Sequence, residues 1–299
     1  MHLLGVGEIL WDVFEQGEHL GGAVFNLCAH AARLGHRVSL VSAVGADARG
    51  TAALARTRAL AISLDYVQTI PDRETGIVTV TVDAGGQPSY IIHRPAAYDF
   101  ASLDAAAWAR LAASPPDWIC YGTLLSIDPG ARELLCKVVR SFPGARRFYD
   151  INLRKDSFTP ELVRSLLEFA GVIKLNDHEV RAIQQMFGTS EPTLERFCRS
   201  FAGRLGCEGV CVTRGEHGCA LLLDGRYAEV PGYPVRVADA VGAGDAFSAA
   251  LIHAIDEGLG PEEAGDFANR LGALVASRPG GVPEWSAAEL EAMAKATKS

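Results

Sequence analysis

Short apolar runs rich in valine and isoleucine alternate with amphipathic or alanine-rich stretches through most of the chain, and this alternation restricts the fold more than any other feature. A strand buried on both faces reads as a continuous apolar run, whereas a covering helix repeats its apolar residues three and four apart. Strands are expected at 3–7, 38–44, 118–121, 147–150, 172–175 and 209–213. Helices are expected at 23–34, 48–60, 130–140, 160–170, 177–187, 193–202, 246–257, 261–276 and 287–296. The succession is that of a parallel sheet covered by helices. At 299 residues the chain is long enough to bury a large core in one large domain, with room for a small appendage.

One region breaks the alternation. Residues 76–82 (Gly-Ile-Val-Thr-Val-Thr-Val), a turn at Asp83-Ala84-Gly85-Gly86-Gln87, and Tyr90-Ile91-Ile92-His93 form a β-hairpin pattern with no helix nearby. Val78, Val80 and Val82 share one face, so that face needs a cover. A ligand beneath the hairpin or a second subunit would supply it, and the alternative is an ordinary hairpin laid on the domain surface.

The net charge of −8 argues against a nucleic-acid footprint, which would need a basic face. Anionic ligands must therefore be held locally, by helix ends, a metal ion or a few placed cations. The seven cysteines are scattered and include no C-x-x-C pair, which points to neither a disulfide framework nor a zinc site. No apolar segment reaches the length needed to span a bilayer, and the N-terminus carries Glu8 and Asp12 without a basic leader. A cytoplasmic protein with no membrane contact is the expectation.

The run Asp239-Ala240-Val241-Gly242-Ala243-Gly244-Asp245, followed by the helix-compatible residues 246–252, concentrates the chemistry. Glycines let several backbone N–H groups converge on one phosphate, and the helix turns its positive dipole end to the same spot. A carboxylate there would repel the anion its neighbours attract. Asp245 makes sense as the base that takes a proton from a hydroxyl attacking that phosphate, or else as the N-cap of the helix.

Other candidates lie at strand ends. Gly21-Gly22-Ala23-Val24-Phe25-Asn26 opens a helix after Glu8-Ile9-Leu10-Trp11-Asp12; Asp12 and Asn26 suit the adjacent hydroxyls of a sugar, while the glycines alone would also make a tight turn. Asn176 and Glu179, three apart at a helix start, suit a hydrated magnesium ion and equally a capping box. Arg154, closing Asp150-Ile151-Asn152-Leu153-Arg154, stands either as a clamp on a transferring phosphoryl group or as a surface arginine. Thr213, Gly215 and Gly218 follow a strand and leave room for a nucleotide, or form a turn into the next strand. Gly5-Val6-Gly7 is not a dinucleotide fingerprint, because Leu10 stands where its third glycine would be.

In this order, over nearly the whole chain, the motifs resemble those of the PfkB, or ribokinase-like, family of carbohydrate kinases. Gly21 to Asn26, with Gly35 and Gly45, is similar to the family's N-terminal signature, and Asp239 to Ile252 to its C-terminal one. The resemblance implies an α/β fold, a ribokinase-like three-layer α/β/α sandwich with a central mostly parallel sheet and a small β-sheet lid. Residues 1–11, 21–65 and 99–299 would form the main domain and 12–20 and 66–98 the lid. The implied reaction moves the γ-phosphoryl group of ATP to a sugar hydroxyl.

Asp245 would then be the base, with Gly242, Ala243 and Gly244 as the anion hole and Arg154 beside it. Asp12, Gly21, Gly22, Asn26 and Arg94 would bind the sugar. ATP would meet Asn176, Thr213, Gly215, Gly218, Gly242, Gly244 and Asn269. Asn176 and Glu179 would organise magnesium through water. A potassium site is implied at Asp239 and at the backbone carbonyls of Val241, Val275, Arg278 and Gly280. Ala240 departs from the family's usual threonine, and Cys28 from its usual small residue.

The segments around Asp12, Arg94-Pro95-Ala96-Ala97 and Asp150 to Arg154 look most like fructokinases, which makes phosphorylation of a primary hydroxyl of D-fructose the first expectation. Ribose, 2-keto-3-deoxygluconate and nucleosides are the alternatives, and a non-catalytic sugar or nucleotide sensor on the same fold is the rival reading. The lid is expected to close over bound sugar and to offer a surface for a homodimer.

Overall fold

The computed structural model describes residues 1–82, 88–154 and 157–296, and the turn expected at 83–87 lies outside them. In chain order the first part holds β1 (His2–Val6), β2 (Leu10–Phe14), β3 (Gly17–Gly21), α1 (Ala23–Arg33), β4 (Arg37–Gly45), α2 (Ala48–Ala59), β5 (Ile62–Ser63), β6 (Val67–Ile70), β7 (Gly76–Val82), β8 (Pro88–Ile92) and α3 (Ala105–Ala113). Next come β9 (Trp118–Gly122), α4 (Pro129–Ser141), β10 (Arg146–Asp150), α5 (Pro160–Leu167), β11 (Val172–Asn176), α6 (Asp177–Phe187) and α7 (Leu194–Leu205). The chain continues through β12 (Gly209–Thr213), β13 (Cys219–Leu223), β14 (Arg226–Val230), α8 (Ala243–Asp256), α9 (Pro261–Ala276) and α10 (Ala287–Ala296).

The main sheet runs β14-β13-β12-β11-β10-β9-β1-β4-β5, with β6 also paired to β4. Parallel pairing joins β1 to β4, β10 to β11 and β11 to β12, while β13 and β14 close the β12 end antiparallel. Every residue of β1, β9 and β13 is buried, the signature of strands covered on both faces. A separate four-stranded sheet, β3-β2-β7-β8, contains the expected hairpin. Along β7 burial alternates, with Val78 and Val80 at 5% and 3% exposure, as the valine spacing requires. On its edge strand β8, Tyr90 and Ile91 are exposed.

The chain forms two compact units, residues 1–119 with 124–145, and residues 120–123 with 146–299. The small sheet belongs to the first, whose core gathers Leu3, Leu4, Trp11, Phe25, Leu40 and Tyr98. In the second, Tyr121 stacks on Tyr149 at 5.0 Å, and Thr123 binds both the Tyr149 hydroxyl and the Ile151 carbonyl.

Helix starts follow local chemistry. Asp128, Thr159 and Thr193 cap α4, α5 and α7 through side-chain oxygens, and left-handed Gly188 and Gly206 end α6 and α7. Three differences from the sequence reading stand out. Helix α3 was not expected, because its buried face consists only of Ala107 and Leu111. Strands β2 and β3 were not among the strands read from apolar runs, since β3 exposes Gly17, Glu18 and His19; only the family resemblance, which put residues 12–20 in a β lid, pointed to them. Helix α8 starts at Ala243, three residues earlier than expected, because Gly244 lies inside its first turn instead of preceding it.

In the first unit a single carboxylate ties α2 to the start of β7. Asp47 caps α2 by accepting from Gly50 N–H at 2.6 Å, and its two oxygens also accept from the Thr75 hydroxyl and the Thr75 N–H, each at 2.8 Å. The Thr75 hydroxyl in turn accepts from Gly45 N–H. Burial by itself would raise the Asp47 pKa, but the hydrogen bonds from Thr75 and Gly50 outweigh it and hold the carboxyl below its ordinary 3.8. A group depressed in the folded state adds stability that is present above its unfolded value and lost as the pH falls through the folded one. Asp47→Ala is expected to lower the unfolding free energy by about 1–2 kcal/mol at pH 7, the cost of a lost cap. That loss should shrink below about pH 4, where the wild-type carboxylate begins to protonate. Urea unfolding at pH 7 and pH 3 checks both statements, and an equal loss at the two pH values refutes the carboxylate's role.

Candidate active site

In the second unit the first turn of α8 is the centre. Gly242 is its N-cap, in a left-handed conformation (φ 76°), and no side chain caps the helix. Asp245 therefore does not serve as the cap; it sits in the first turn, half-buried, beside N–H groups that have no partner within the helix. A Cβ at Gly242 would come 2.2 Å from the Gly281 carbonyl oxygen, so the cradle is pressed against the segment that follows α9. Asp239 fastens the same loop, accepting from Val241 N–H at 2.9 Å and Gly280 N–H at 3.0 Å. The Ala276 carbonyl accepts from Ala238 and Asp239 N–H, and that of Val275 from Arg278 N–H. Arg278 itself pairs with Glu289 and the Glu284 carbonyl.

Beneath this turn lies an ion pair that sequence reading did not assign a role. Lys174 on β11 reaches both oxygens of Asp150 on β10 at 3.1 Å, with the two side chains 8% and 6% exposed. Burial alone would lower the Lys174 pKa, but the carboxylates of Asp150, Glu179 and Asp245 outweigh it, so the net shift is upward and the group is an ammonium. The Ser248 hydroxyl, on α8, lies 3.0 Å from Asp150 Oδ2 and 2.9 Å from the Gly244 carbonyl and shares its proton between them.

Asn176 and Glu179 form the capping box, and they do more. Asn176 accepts from Glu179 N–H at 2.9 Å, while the buried Glu179 carboxylate accepts from Asn176 N–H at 2.8 Å and from Leu153 N–H at 2.6 Å. Burial raises the Glu179 pKa, and the Lys174 ammonium and these N–H groups pull it part of the way back. The carboxylate thus fixes the segment that carries Arg154, which is exposed and follows Asn152 in a left-handed conformation.

The remaining nucleotide candidates of this unit divide by environment. Thr213 is half-buried at the end of β12, and Gly215 is exposed with open space around it. A Cβ on Gly218 would stand 2.1 Å from the Val230 carbonyl oxygen, so this glycine serves close packing. The Asn269 amide donates to the carbonyls of Val230 and Pro231 at 3.3 and 3.0 Å and holds that stretch in place.

In the first unit Asp12, Gly21, Gly22 and Asn26 meet at the start of α1. A Cβ on Gly21 would come 2.6 Å from Asp12 Oδ2, so the carboxylate lies over bare backbone that only glycine leaves clear. Gly22, the N-cap (φ 115°), packs against the Glu8 carbonyl, and Glu8 Oε1 accepts from Ala23 N–H at 2.7 Å. Asn26 is buried in the first two turns, its N–H bonded to the Gly22 carbonyl. Arg94 is anchored by Asp99 and the Leu124 carbonyl, with its guanidinium 5.5 Å from the Tyr98 ring.

Chemically, the second unit offers a helix start whose N–H groups suit an anion, with a carboxylate in its first turn and a buried cation against it. The first offers a carboxylate and an amide beside glycines. Glu8, Asp150, Lys174 and Ser248 make contacts beside the candidate residues, and sequence reading left them without a role. Lys174 gave one signal, a charge inside an otherwise apolar strand. Among the described residues no three histidine, cysteine or acidic side chains converge as a metal cage, and no helix is long and apolar enough to cross a membrane.

Residues 6–287 match the pfkB family carbohydrate kinases. The chain is 26% identical over 281 residues to fructokinase-1 of Oryza sativa subsp. japonica, covering 88% of this chain and 84% of that protein. It is 27% identical over 255 residues to the ribokinase of Bacillus subtilis, covering 85% and 80%. The crystal structure of the Xylella fastidiosa fructokinase with bound ATP aligns with a TM-score of 0.88 at 20% identity, over 100% of this chain and 99% of that one. Identity that low carries the fold: a central mostly parallel sheet with a small separate one, as the sequence led us to expect.

The two cradle glycines should tolerate a methyl group unequally. Gly242→Ala forces a left-handed alanine, at about 1–2 kcal/mol, on top of a backbone clash. Gly244→Ala gains helix propensity of about 0.5–1 kcal/mol and meets only the end of the Lys174 side chain. Chemical denaturation should find Gly242→Ala clearly less stable than Gly244→Ala; the reverse order refutes the cradle geometry.

Proposed function

The chain belongs to the pfkB family of carbohydrate kinases, and on that premise we propose that it phosphorylates a primary hydroxyl of D-fructose from ATP, with Asp245 as general base. The observation that carries this reading is the position of Asp245. It stands in the first turn of α8 while Gly242 occupies the cap, which puts a carboxylate at a helix N-terminus, the end that attracts anions.

In this mechanism Asp12 and Asn26 hold hydroxyls of the sugar. Asp245 accepts the proton of the attacking hydroxyl as its oxygen bonds to the γ-phosphorus and the bond to the β-phosphate oxygen breaks, releasing ADP. Charge on the transferring group is met by the N–H groups of the Gly242–Gly244 turn and by Arg154. No protein cage for a metal ion forms among the described residues. Magnesium would therefore arrive with the nucleotide phosphates and meet Asn176 and Glu179 through water, a donor set that suits its preference for a retained hydration shell. Bound there, it would neutralise phosphate charge. For potassium, the donors on this reading are the Asp239 side chain, whose oxygens already hold Val241 and Gly280 N–H, and the backbone carbonyls of Val241, Val275, Arg278 and Gly280.

Fructose is favoured over ribose, 2-keto-3-deoxygluconate and nucleosides by the Arg94-Pro95-Ala96-Ala97 and Asp150 to Arg154 segments and by the likeness to the rice fructokinase. The Bacillus ribokinase stands at similar identity, so a sugar panel decides. D-Fructose should give the highest kcat/KM; a higher value for ribose, 2-keto-3-deoxygluconate or adenosine overturns the assignment, and no ATP consumption with any sugar favours a sensor.

Asp245→Asn keeps the shape, removes the proton acceptor and relieves repulsion of phosphate. Its kcat should fall by about 100-fold or more while ATP binds as well as before or more tightly. Retention of more than about a tenth of the wild-type rate excludes Asp245 as the base.

A further inference from the structure

Three neighbouring strands of the second unit set Asp150, Lys174 and Cys211 in one row, since Asp150 pairs with Lys174 and Lys174 with Cys211 across the ladders. The row is out of water, with Lys174 6% and Asp150 4% exposed. Charges so deep are kept only when paired, and Asp150 supplies the partner. Pairing does not account for what lies on the other side of the ammonium. A Cβ built on Gly244 would stand 3.3 Å from Lys174 Nζ, so the charge rests against the backbone of the anion cradle. Ser248, one turn along α8, binds the pair to that same residue through the Gly244 carbonyl.

We propose that Lys174 is a positioning residue for phosphoryl transfer: with Asp150 and Ser248 it fixes the first turn of α8 and sets a permanent positive charge beneath the cradle. This rests on the kinase reading above. Asp150, Glu179 and Asp245 all lie within electrostatic range of the ammonium. Without it, three carboxylates would surround the place where the phosphates of ATP must enter, and each would repel them. With it, one of those negative charges is cancelled and the repulsion is reduced at a point where little water screens it. A lysine that only balanced Asp150 would have no reason to lie against Gly244.

The test separates charge balance from catalysis. Neutralising both partners in K174M/D150N removes the buried ion pair without leaving either partner's charge alone, a change that is often near neutral for stability, and Glu179 keeps the N–H groups of Asn176 and Leu153. We expect a melting temperature close to wild type, an ATP KM within about threefold, and a kcat lowered at least about tenfold. Recovery of wild-type kcat together with stability overturns the proposal. Should the double variant not fold, Ser248→Ala decides. Alanine is the best helix former, and the variant should keep its melting temperature while kcat drops several-fold; an unchanged kcat overturns the proposal. Wild-type turnover is measured first, because its absence with every sugar overturns the kinase reading and this inference together, whereas active wild type with an equally active double variant overturns the inference alone.

Discussion

Strands covered on both faces have nowhere to put a charge except at their ends, and this constraint places the chemistry of the second unit. β10 carries charge only at its two ends, Arg146 and Arg147 at its start and Asp150 at its close, while β11 and β12 close on Asn176 and Thr213, with Lys174 two positions before the end of β11. Helix starts gather at the same ends, so dipoles, free amides and the few polar side chains collect in one layer. Lys174 is the exception that enters the apolar region. Its ammonium is tolerated there because Asp150 meets it with both oxygens.

A second device recurs in both units: a carboxylate that accepts backbone N–H groups from two places far apart in the chain. Asp47 joins Gly50 to Thr75, Glu179 joins Asn176 to Leu153, and Asp239 joins Val241 to Gly280. Hydrogen bonds to an ionised acceptor are the stronger kind, about 1.5–3 kcal/mol each. Loops that must hold small groups at fixed distances are thereby fastened without large hydrophobic side chains. The glycines follow from the same need, since amides can converge only where no Cβ intervenes.

Much of this was legible in the sequence, for reasons that can be named. Apolar runs marked the buried strands, and valine spacing marked β7. Asn176 and Glu179 were readable as a capping box because three-residue spacing is local information. What could not be read depends on residues distant in the chain. Nothing near Glu8 says that it closes α1 at Ala23, and nothing near Ser248 says that it meets Asp150. The amide of Asn269 holds the carbonyls of Val230 and Pro231, a contact across 38 to 39 positions. The early start of α8 escaped because glycines within a first turn look like a loop when only propensity is consulted.

The Asp150 and Lys174 pair also bears on how such a chain can drift. Losing either member alone would strand the other charge in the core, at about 3–5 kcal/mol, a large part of the whole stability of an ordinary domain. Losing both in one step is far milder but needs two codons to change together. Single-step descent therefore passes the two residues on as one inherited character, although they sit on different strands and 24 positions apart.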